Sequence, residues 1–255
     1  QNNTEEERLL GVSLTGIMDC RILNNFHGKL QPSTLQNLKN YSVKVNKEWA
    51  SKFGIPQSTA ITCVKPSGTV SQLVDSASGI HARHSAHYIR TVRGDNNDPL
   101  TRFMINAGIP NEPDVMQPDH TTVFSFPIKS PLNAINRNSL SAIEQLEFCK
   151  LYAENWCEHK PSVTISVKEE EWVTVGSWCW ENFEHLSGVS FLPYSDHSYK
   201  QAPYQDINAT QYRKLLKEFP KEINWSELTE WEKEDNTKGT QQLACTAGVC
   251  EIVDI

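Results

Sequence analysis

Two cysteines near the end of the sequence, Cys245 and Cys250, have a spacing that suits thiol chemistry. Four residues separate them, including Gly248, and the polar segment before them has no apolar period that would bury them in a core. Thiol–disulfide exchange requires two thiols that solvent can reach and that can close a ring. A zinc site would need two further ligands, and the neighbouring residues offer none. The pair therefore predicts a redox function, with an incidental pair of cysteines as the alternative.

A second group suited to chemistry is the loop "PSGTVS" at 66–71, which follows an apolar segment at 58–64. The apolar segment predicts a strand, and residues 69–79 predict a helix. Gly68 lets the backbone approach a ligand, and the first amides of a helix favour an anion. The spacing is not that of a Walker motif, so the loop indicates either a phosphate site of another kind or an ordinary strand–helix turn. The candidate phosphate-binding residues are Pro66, Ser67, Gly68, Thr69, Val70 and Ser71.

A basic cluster follows in "SGIHARHSAHYIRTVRG" at 78–94. Because the whole chain is acidic, this local positive charge fits an anionic substrate, and His81 and Arg83 are the candidate residues. Three histidines at 81, 84 and 87 also suggest a metal, but no carboxylate or cysteine nearby completes a ligand set. We therefore expect no metal site here.

The remaining cysteines predict structural roles. Cys157 lies in "ENWCEHK" at 154–160 beside polar residues, but the stretch continues an amphipathic helix, and packing is the better interpretation than catalysis. Cys20, Cys63, Cys149 and Cys179 lie in predicted strands or helices, where a thiol behaves as a small apolar residue. We expect all of them to be buried.

Composition excludes several classes of protein. The chain has 255 residues and a net charge of −7, which argues against a protein that binds a nucleic acid polymer. No run reaches the roughly 18 apolar residues of a membrane helix, and no secretion signal opens the chain. Seven cysteines are an odd number that does not predict a disulfide framework. A cytoplasmic protein with reduced thiols is the expectation.

Hydrophobic periodicity places helices and strands in alternation along the chain. Helices are predicted at 31–53, 98–108, 139–160, 168–188, 209–219 and 225–234, beside the one at 69–79. Strands are predicted at 11–20, 87–94, 121–128, 162–167 and 189–193, beside the one at 58–64. Such alternation predicts parallel βαβ units and an α/β fold. From Glu232 the sequence predicts a flexible tether.

Four segments together resemble the C-terminal part of class II, adenosylcobalamin-dependent ribonucleotide reductases of the monomeric ribonucleoside-triphosphate reductase type. They are "KPSGTVSQLVDSASGIHARHSAHYIRTVRGDNNDPL" (65–100), "AIEQLEFCKLYAENWCEHKPSVTISV" (142–167), "SGVSFLPYSDHSYKQAPYQDI" (187–207) and "CTAGVC" (245–250). The resemblance covers nearly the whole chain, and its motifs are specific in combination.

The resemblance implies a ten-stranded α/β barrel, of which this chain supplies the later strands and helices. Residues 1–207 would form the barrel part, 208–234 peripheral helices, and 235–255 a flexible redox tail. The loop at 66–71 would bind the phosphates of a ribonucleotide, and Cys245 and Cys250 would reduce the active-site disulfide. Thioredoxin would then reduce the pair again.

The implied reaction reduces a ribonucleotide, by likeness a triphosphate, for DNA synthesis. Homolysis of the cobalt–carbon bond of adenosylcobalamin would create a thiyl radical on a barrel cysteine, which abstracts the ribose 3′-hydrogen. The 2′-hydroxyl would leave as water, and a dithiol would supply the electrons. The cofactor carries this radical chemistry, while the protein orients the partners.

This sequence departs from the family in two places. The radical cysteine of the family lies in an Asn-Pro-Cys-x-Glu loop, which is absent here: in "NWCE" the glutamate follows Cys157 directly. Ala82 stands where the family commonly has proline. We therefore expect the chain to need an N-terminal reductase portion and to be inactive alone. The alternatives are a non-catalytic nucleotide-binding or assembly module with a redox-sensing tail, and a fragment of a class I-type large subunit.

Overall fold

A computed structural model describes residues 8, 10–25, 30–194, 199–233, 242–246 and 249–253. The chain divides into two compact units, one built from 1–83 with 131–194 and the other from 84–130 with 195–255. Within the described ranges, no helix is long and apolar enough to cross a membrane.

The helices are α1 (Pro32–Phe53), α2 (Val70–Leu73), α3 (Pro99–Asn106), α4 (Ala142–Asn155), α5 (Trp172–Glu181), α6 (Ala209–Glu218) and α7 (Leu228–Trp231). The strands are β1 (Val12–Ser13), β2 (Thr62–Cys63), β3 (His87–Asp95), β4 (Asn111–Pro113), β5 (Thr121–Lys129), β6 (Ser162–Val167), β7 (Gly188–Pro193), β8 (Tyr204–Asp206), β9 (Gln242–Thr246) and β10 (Val249–Val253). Short 3₁₀ turns occur at Ile17–Asp19, Arg137–Ser139, Glu169–Glu171, Phe183–His185 and Trp225–Glu227.

The first unit contains two pairs of parallel strands. β1 pairs with β2 across the connection that contains α1, and β6 pairs with β7 across the connection that contains α5. Side chains of β6 alternate between half-buried and buried, with Ile165 and Val167 fully covered. The predicted βαβ arrangement and the α/β class are thus confirmed for this unit, while closure into a ten-stranded barrel stays a prediction.

Helix α4 is fixed at its start by the sequence. The Ser141 hydroxyl accepts a hydrogen bond from the Glu144 amide at 3.2 Å, and the Glu144 carboxylate accepts one from the Ser141 amide at 2.8 Å. This reciprocal capping satisfies amides that the first turn leaves unpaired. The hydrogen bonds from Ser141 also lower the pKa of Glu144. Leu146 and Tyr152 lie on the buried face of α4 and pack in the core of the unit.

The second unit is built on a four-stranded antiparallel sheet in the order β4-β5-β3-β8. Its longest pairing sets His87 opposite Lys129 and Asp95 opposite Thr121. Helix α3 is capped by Asp98, whose carboxylate accepts from the Leu100 amide at 2.8 Å. Its Phe103 packs with Phe124 in a small core. The predicted parallel βαβ units are therefore wrong for this sheet: β4 and β5 are joined by the short connection 114–120, and β3 pairs antiparallel with β5 although α3 and β4 lie between them in the chain.

Several predicted elements are shorter than expected. Residues 11–20 form a two-residue strand and a 3₁₀ turn that buries Ile17 and Met18. The helix predicted at 69–79 has only the four residues of α2, because Asp75 takes a left-handed conformation at φ 45°. The segment predicted at 168–188 divides into α5 and two 3₁₀ turns. Strands β9 and β10 lie where a tether without regular structure was predicted; residues 234–241 lie outside the described part.

Candidate functional site

The candidate phosphate loop follows β2, and the segment after α4 holds that strand in place. The Glu158 carboxylate accepts from the amides of Ile61 at 2.8 Å and Thr62 at 3.1 Å. Burial raises the pKa of Glu158, but these hydrogen bonds and the charge of Lys39 outweigh that effect and lower it. The Trp156 indole donates to the Cys63 carbonyl at 2.8 Å. The "NWCE" motif therefore supports the strand that leads into the loop.

The loop makes its sharpest turn at Ser67, a non-glycine residue with φ of 44°. Its carbonyl accepts from the Ser71 amide at 3.1 Å and from the Ser71 hydroxyl. Ser71 is fully buried and its hydroxyl also lies 3.0 Å from that of Ser78. Internal hydrogen bonds thus hold the backbone of the loop in one shape.

Three successive amides of the loop are available to a ligand. Across the residues that the structure describes, the amides of Gly68, Thr69 and Val70 have no hydrogen-bond partner in the chain, and all three residues are exposed. A Cβ on Gly68 would meet nothing within 4 Å, so the space beside it is open. Since α2 is a single turn, the dipole of a long helix contributes little here. The amide donors themselves are what the loop offers.

Thr15 connects Ser67 in the loop to residues 77–79, which follow α2. Its hydroxyl oxygen lies 2.7 Å from that of Ser67, donates to the Ala77 carbonyl at 3.2 Å, and accepts from the Gly79 amide at 2.9 Å. Gly79 has φ of 55°, and a Cβ there would overlap the Lys65 carbonyl oxygen. Only glycine fits this position, because the two ends of the loop approach each other there.

Arg83 is buried against the same region and is paired with two carboxylates. Its Nη2 lies 2.8 Å from Oδ2 of Asp19, and its Nη1 lies 3.1 Å from Oδ1 of Asp75. Asp19 also accepts from the Ala77 amide at 2.8 Å. The predicted substrate-facing charge of Arg83 is thus engaged inside the chain, where it orders residues 75–77.

His81 is likewise engaged inside the chain. Burial lowers its pKa, an effect that its hydrogen bond to the Ser78 carbonyl partly offsets. In the neutral form, Nδ1 donates to that carbonyl at 2.9 Å and Nε2 accepts from the Thr164 amide at 3.0 Å. His81 therefore ties the end of the loop region to β6 and carries no charge at neutral pH.

The other residues of the basic cluster lie in the second unit. Nε2 of His84 lies 3.4 Å from Oδ1 of Asp206. The His84 ring stacks on the Tyr204 ring, with the two ring centres 5.2 Å apart. Nε of Arg93 lies 2.8 Å from Asp114. Among the described residues, no group of three or more His, Cys, Asp or Glu side chains has an arrangement that would hold a metal ion.

The two C-terminal cysteines are directly opposite each other in a pair of strands. Strands β9 and β10 are antiparallel, and the register pairs Cys245 with Cys250. Opposite Cα atoms in such a ladder lie about 4.5–5.5 Å apart, within the range that a disulfide spans.

The other cysteines have mostly the predicted burial. Cys63, Cys149 and Cys157 are buried, and burial raises the pKa of both Cys149 and Cys157 to about 12. Cys20 and Cys179 are only half-buried, which corrects the prediction for these two.

Sequence reasoning missed four residues that shape the loop: Thr15, Asp19, Asp75 and Glu158. Asp19 could have been recognised in the sequence, because it is the first charged residue after the apolar run that begins at residue 11. The other three have no local signal, because their partners lie far away in the sequence or, for Asp75, depend on a turn that replaces the predicted helix.

The fold is that of a class II ribonucleotide reductase. A crystal structure described as a B-12-dependent, class II ribonucleotide reductase superposes with a TM-score of 0.75 at 24% identity, covering 93% of this chain and 36% of the other. No family model matches the sequence.

Named relatives support the same assignment in sequence. An adenosylcobalamin-dependent ribonucleoside-triphosphate reductase of Lactobacillus delbrueckii subsp. bulgaricus is 27% identical over 97% of this chain and 37% of its own length. That of Euglena gracilis is 30% identical over 74% and 26%, and a probable one of Dictyostelium discoideum is 28% identical over 96% and 32%. The resemblance to class II reductases is thereby confirmed. The chain spans about a third of the length of these relatives.

Proposed function

We propose that this chain supplies the substrate-phosphate loop and the reducing cysteine pair of an adenosylcobalamin-dependent ribonucleoside-triphosphate reductase. The observation that carries the proposal is the row of three exposed amides at Gly68, Thr69 and Val70, held in a fixed loop. The named relatives support the reaction class.

The loop suits the phosphates of a nucleotide because its amide donors belong to exposed residues. Amide N–H groups that converge on one point bind phosphate oxygens without a bound cation. Lys65 is exposed at the entrance of the loop and adds a positive charge. Ser67 and Ser71 hold the backbone rather than the ligand, since hydrogen bonds within the chain use their hydroxyls. Substrate phosphates would therefore contact mainly the backbone of 68–70.

The cysteine pair would return two electrons to the active site after each turnover. The thiolate of one cysteine attacks the active-site disulfide, and a mixed disulfide forms as one active-site thiol leaves. The second cysteine then attacks the mixed disulfide, so that Cys245–Cys250 is oxidised and the active-site pair is reduced. Thioredoxin, as dithiol, would reduce Cys245–Cys250 by the same exchange. The facing register of β9 and β10 supports this closure of the pair.

Adenosylcobalamin, bound by the complete enzyme, would supply the radical. The loop offers amides and hydroxyls, which fit a phosphate, and we assign no cobalamin-binding residue to this chain. The radical-bearing cysteine would come from an N-terminal reductase portion. Cys157 does not serve this role, since "NWCE" departs from the Asn-Pro-Cys-x-Glu pattern and the Glu158 carboxylate is bound to the Ile61 amide.

The complete enzyme would contain a ten-stranded α/β barrel. It would be a cytoplasmic protein. The parallel pairs β1–β2 and β6–β7 would be two of its sections. Residues 1–207 would belong to the barrel region, 208–234 to peripheral helices and 235–255 to the redox tail.

The redox role is tested in a complete enzyme, made by replacing the matching third of the Lactobacillus delbrueckii reductase with this chain. Changing Cys245→Ser and Cys250→Ser together should abolish turnover with thioredoxin and leave part of the turnover with dithiothreitol. Cys179→Ser is the control and should change neither. Thioredoxin-driven turnover that survives the double change would contradict the redox assignment.

The phosphate role is tested in the same enzyme with Gly68→Val. Because the backbone of Gly68 is not in a left-handed conformation and its Cβ position is open, the variant should fold normally but obstruct the ligand. KM for the nucleoside triphosphate should rise about tenfold, which corresponds to about 1.4 kcal/mol. Gly176→Val, also at an open position, should leave KM unchanged.

Calorimetry on the chain alone separates the reductase from a simple binding module. Tight binding of a nucleoside triphosphate without the rest of the enzyme would favour the module. Binding that appears only in the complete enzyme would favour the reductase.

A further inference from the structure

The amides at 68–70 cannot by themselves distinguish a triphosphate from a diphosphate. An amide N–H group is a neutral dipole, and it binds a phosphate oxygen of either ligand in the same way. The relatives, however, are described as triphosphate reductases. A site that prefers the more highly charged ligand needs a positive charge close to the amides.

Two of the cationic residues near the loop are already used within the chain. Arg83 is buried and paired with Asp19 and Asp75. His81 is neutral, since one ring nitrogen donates to the Ser78 carbonyl and the other accepts from the Thr164 amide. Neither residue therefore offers its charge to a ligand.

Lys65 is the remaining basic residue at the loop. The sequence from 53 to 80 contains no other lysine, arginine or histidine. Across the residues that the structure describes, Lys65 forms no ion pair and its ammonium group makes no hydrogen bond. Asp19 and Asp75 bind Arg83 instead. The positive charge of Lys65 is thus available to a ligand.

The backbone of Lys65 is fixed at the base of the loop. Its amide donates to the Ser13 hydroxyl at 2.9 Å. On the other side, a Cβ on Gly79 would overlap the Lys65 carbonyl oxygen. The side chain is exposed, three positions before Gly68. Because a lysine carries its charge on a flexible four-carbon stem, the ammonium can reach a ligand on the neighbouring amides.

Given the proposed phosphate role of the loop, we propose that Lys65 binds the terminal phosphate of a nucleoside triphosphate and determines the preference for it over a diphosphate. The three amides hold the phosphates that both ligands share. The third phosphate brings the additional negative charge, and the Lys65 ammonium pairs with it. Since Lys65 is exposed, this ion pair is of moderate strength and is screened by salt.

The test uses the complete enzyme in which this chain replaces the matching third of the Lactobacillus delbrueckii reductase. Cytidine triphosphate is the substrate, and cytidine diphosphate is a competing inhibitor. Lys65→Gln should raise KM for the triphosphate about fivefold, which is at the upper end for an exposed ion pair. The inhibition constant of the diphosphate should change by less than about twofold. The KM of Lys65→Gln should also depend less on salt than that of the unchanged enzyme.

Two further variants serve as controls. Lys65→Arg keeps the positive charge and should retain most of the preference for the triphosphate. Lys47→Gln removes an exposed lysine of α1 in the same unit and should change neither constant.

Inorganic polyphosphates give a second test that involves no base or ribose. Lys65→Gln should weaken inhibition by tripolyphosphate about fivefold and leave inhibition by pyrophosphate nearly unchanged. Equal effects of Lys65→Gln on the two inhibitors, or no effect on either, would overturn the proposal.

The Gly68→Val variant separates this proposal from the phosphate role of the loop. If Gly68→Val weakens binding of both nucleotides while Lys65→Gln leaves their ratio unchanged, only the role of Lys65 is wrong. If Gly68→Val leaves both constants unchanged, the phosphate role on which the proposal rests is itself wrong.

Discussion

The hydroxyl oxygen of Thr15 lies 2.7 Å from the hydroxyl oxygen of Ser67, although 52 positions separate the two residues. Thr15 also binds the Ala77 carbonyl and the Gly79 amide. One side chain thereby joins both ends of the loop whose amides at 68–70 have no partner among the described residues. The shape of the proposed phosphate site depends on this contact.

Thr15→Val should destabilise the chain by about 1–3 kcal/mol, because it preserves volume but leaves partly buried polar groups without a partner. Thr15→Ser keeps the hydroxyl and should cost less. Urea unfolding followed by circular dichroism measures both. Equal stability of the two variants would show that the hydroxyl contributes nothing.

Arg83 provides a comparison between a buried and an exposed ion pair. Arg83→Met should cost about 3–5 kcal/mol, since it leaves the Asp19 carboxylate without its buried partner. Asp75→Asn should cost less than about 1 kcal/mol, because the Asp75 side chain is 74% exposed. Thermal or urea unfolding of the two variants checks the order, and a larger loss for Asp75→Asn would contradict the assignment.

His81 predicts a pH dependence of stability. Because burial lowers its pKa from 6.5 in the folded state, the unfolded chain binds the proton more readily. The contribution of neutral His81 is therefore present above about pH 6.5 and is lost as the pH falls below that value. His81→Gln should flatten the dependence of the unfolding free energy on pH in this range. His120→Gln, at an exposed position, should leave the slope unchanged.

The cysteines should divide into reactive and unreactive groups. Burial raises the pKa of Cys149 and Cys157 to about 12, so iodoacetamide at about pH 8 should spare both in the native chain. Cys245 and Cys250 should react when reduced and be protected together after mild oxidation. Peptide mass spectrometry with and without urea measures this. Protection of Cys245 that persists in Cys250→Ser would exclude a disulfide between them.

Elements whose causes lie within a few residues were predictable from the sequence. The apolar periods and terminal residues of α1, α3 and α4 predicted these helices, and the Ser141 cap fixed the start of α4. Strands β3, β5 and β6 were predictable for the same reason. Alternating apolar and polar residues and β-branched side chains favour a strand within a few residues of sequence. The loop at 66–71 was recognisable because its glycine and hydroxyl residues are contiguous.

Contacts between distant segments decided the rest. Whether β3 and β5 pair antiparallel or run parallel depends on which edges meet, and the strand pattern alone does not specify this. The predicted helix after Thr69 ended at Leu73 because turns at Asp75 and Gly79 bring that segment to Thr15 and Asp19.

The sequence by itself therefore determined the residue types of the loop and of the cysteine pair. Only the tertiary structure decided that Arg83 and His81 are engaged within the chain while the amides at 68–70 stay open. The physical reason is that a charge or a hydrogen-bond donor is available to a ligand only where folding has not already supplied its partner.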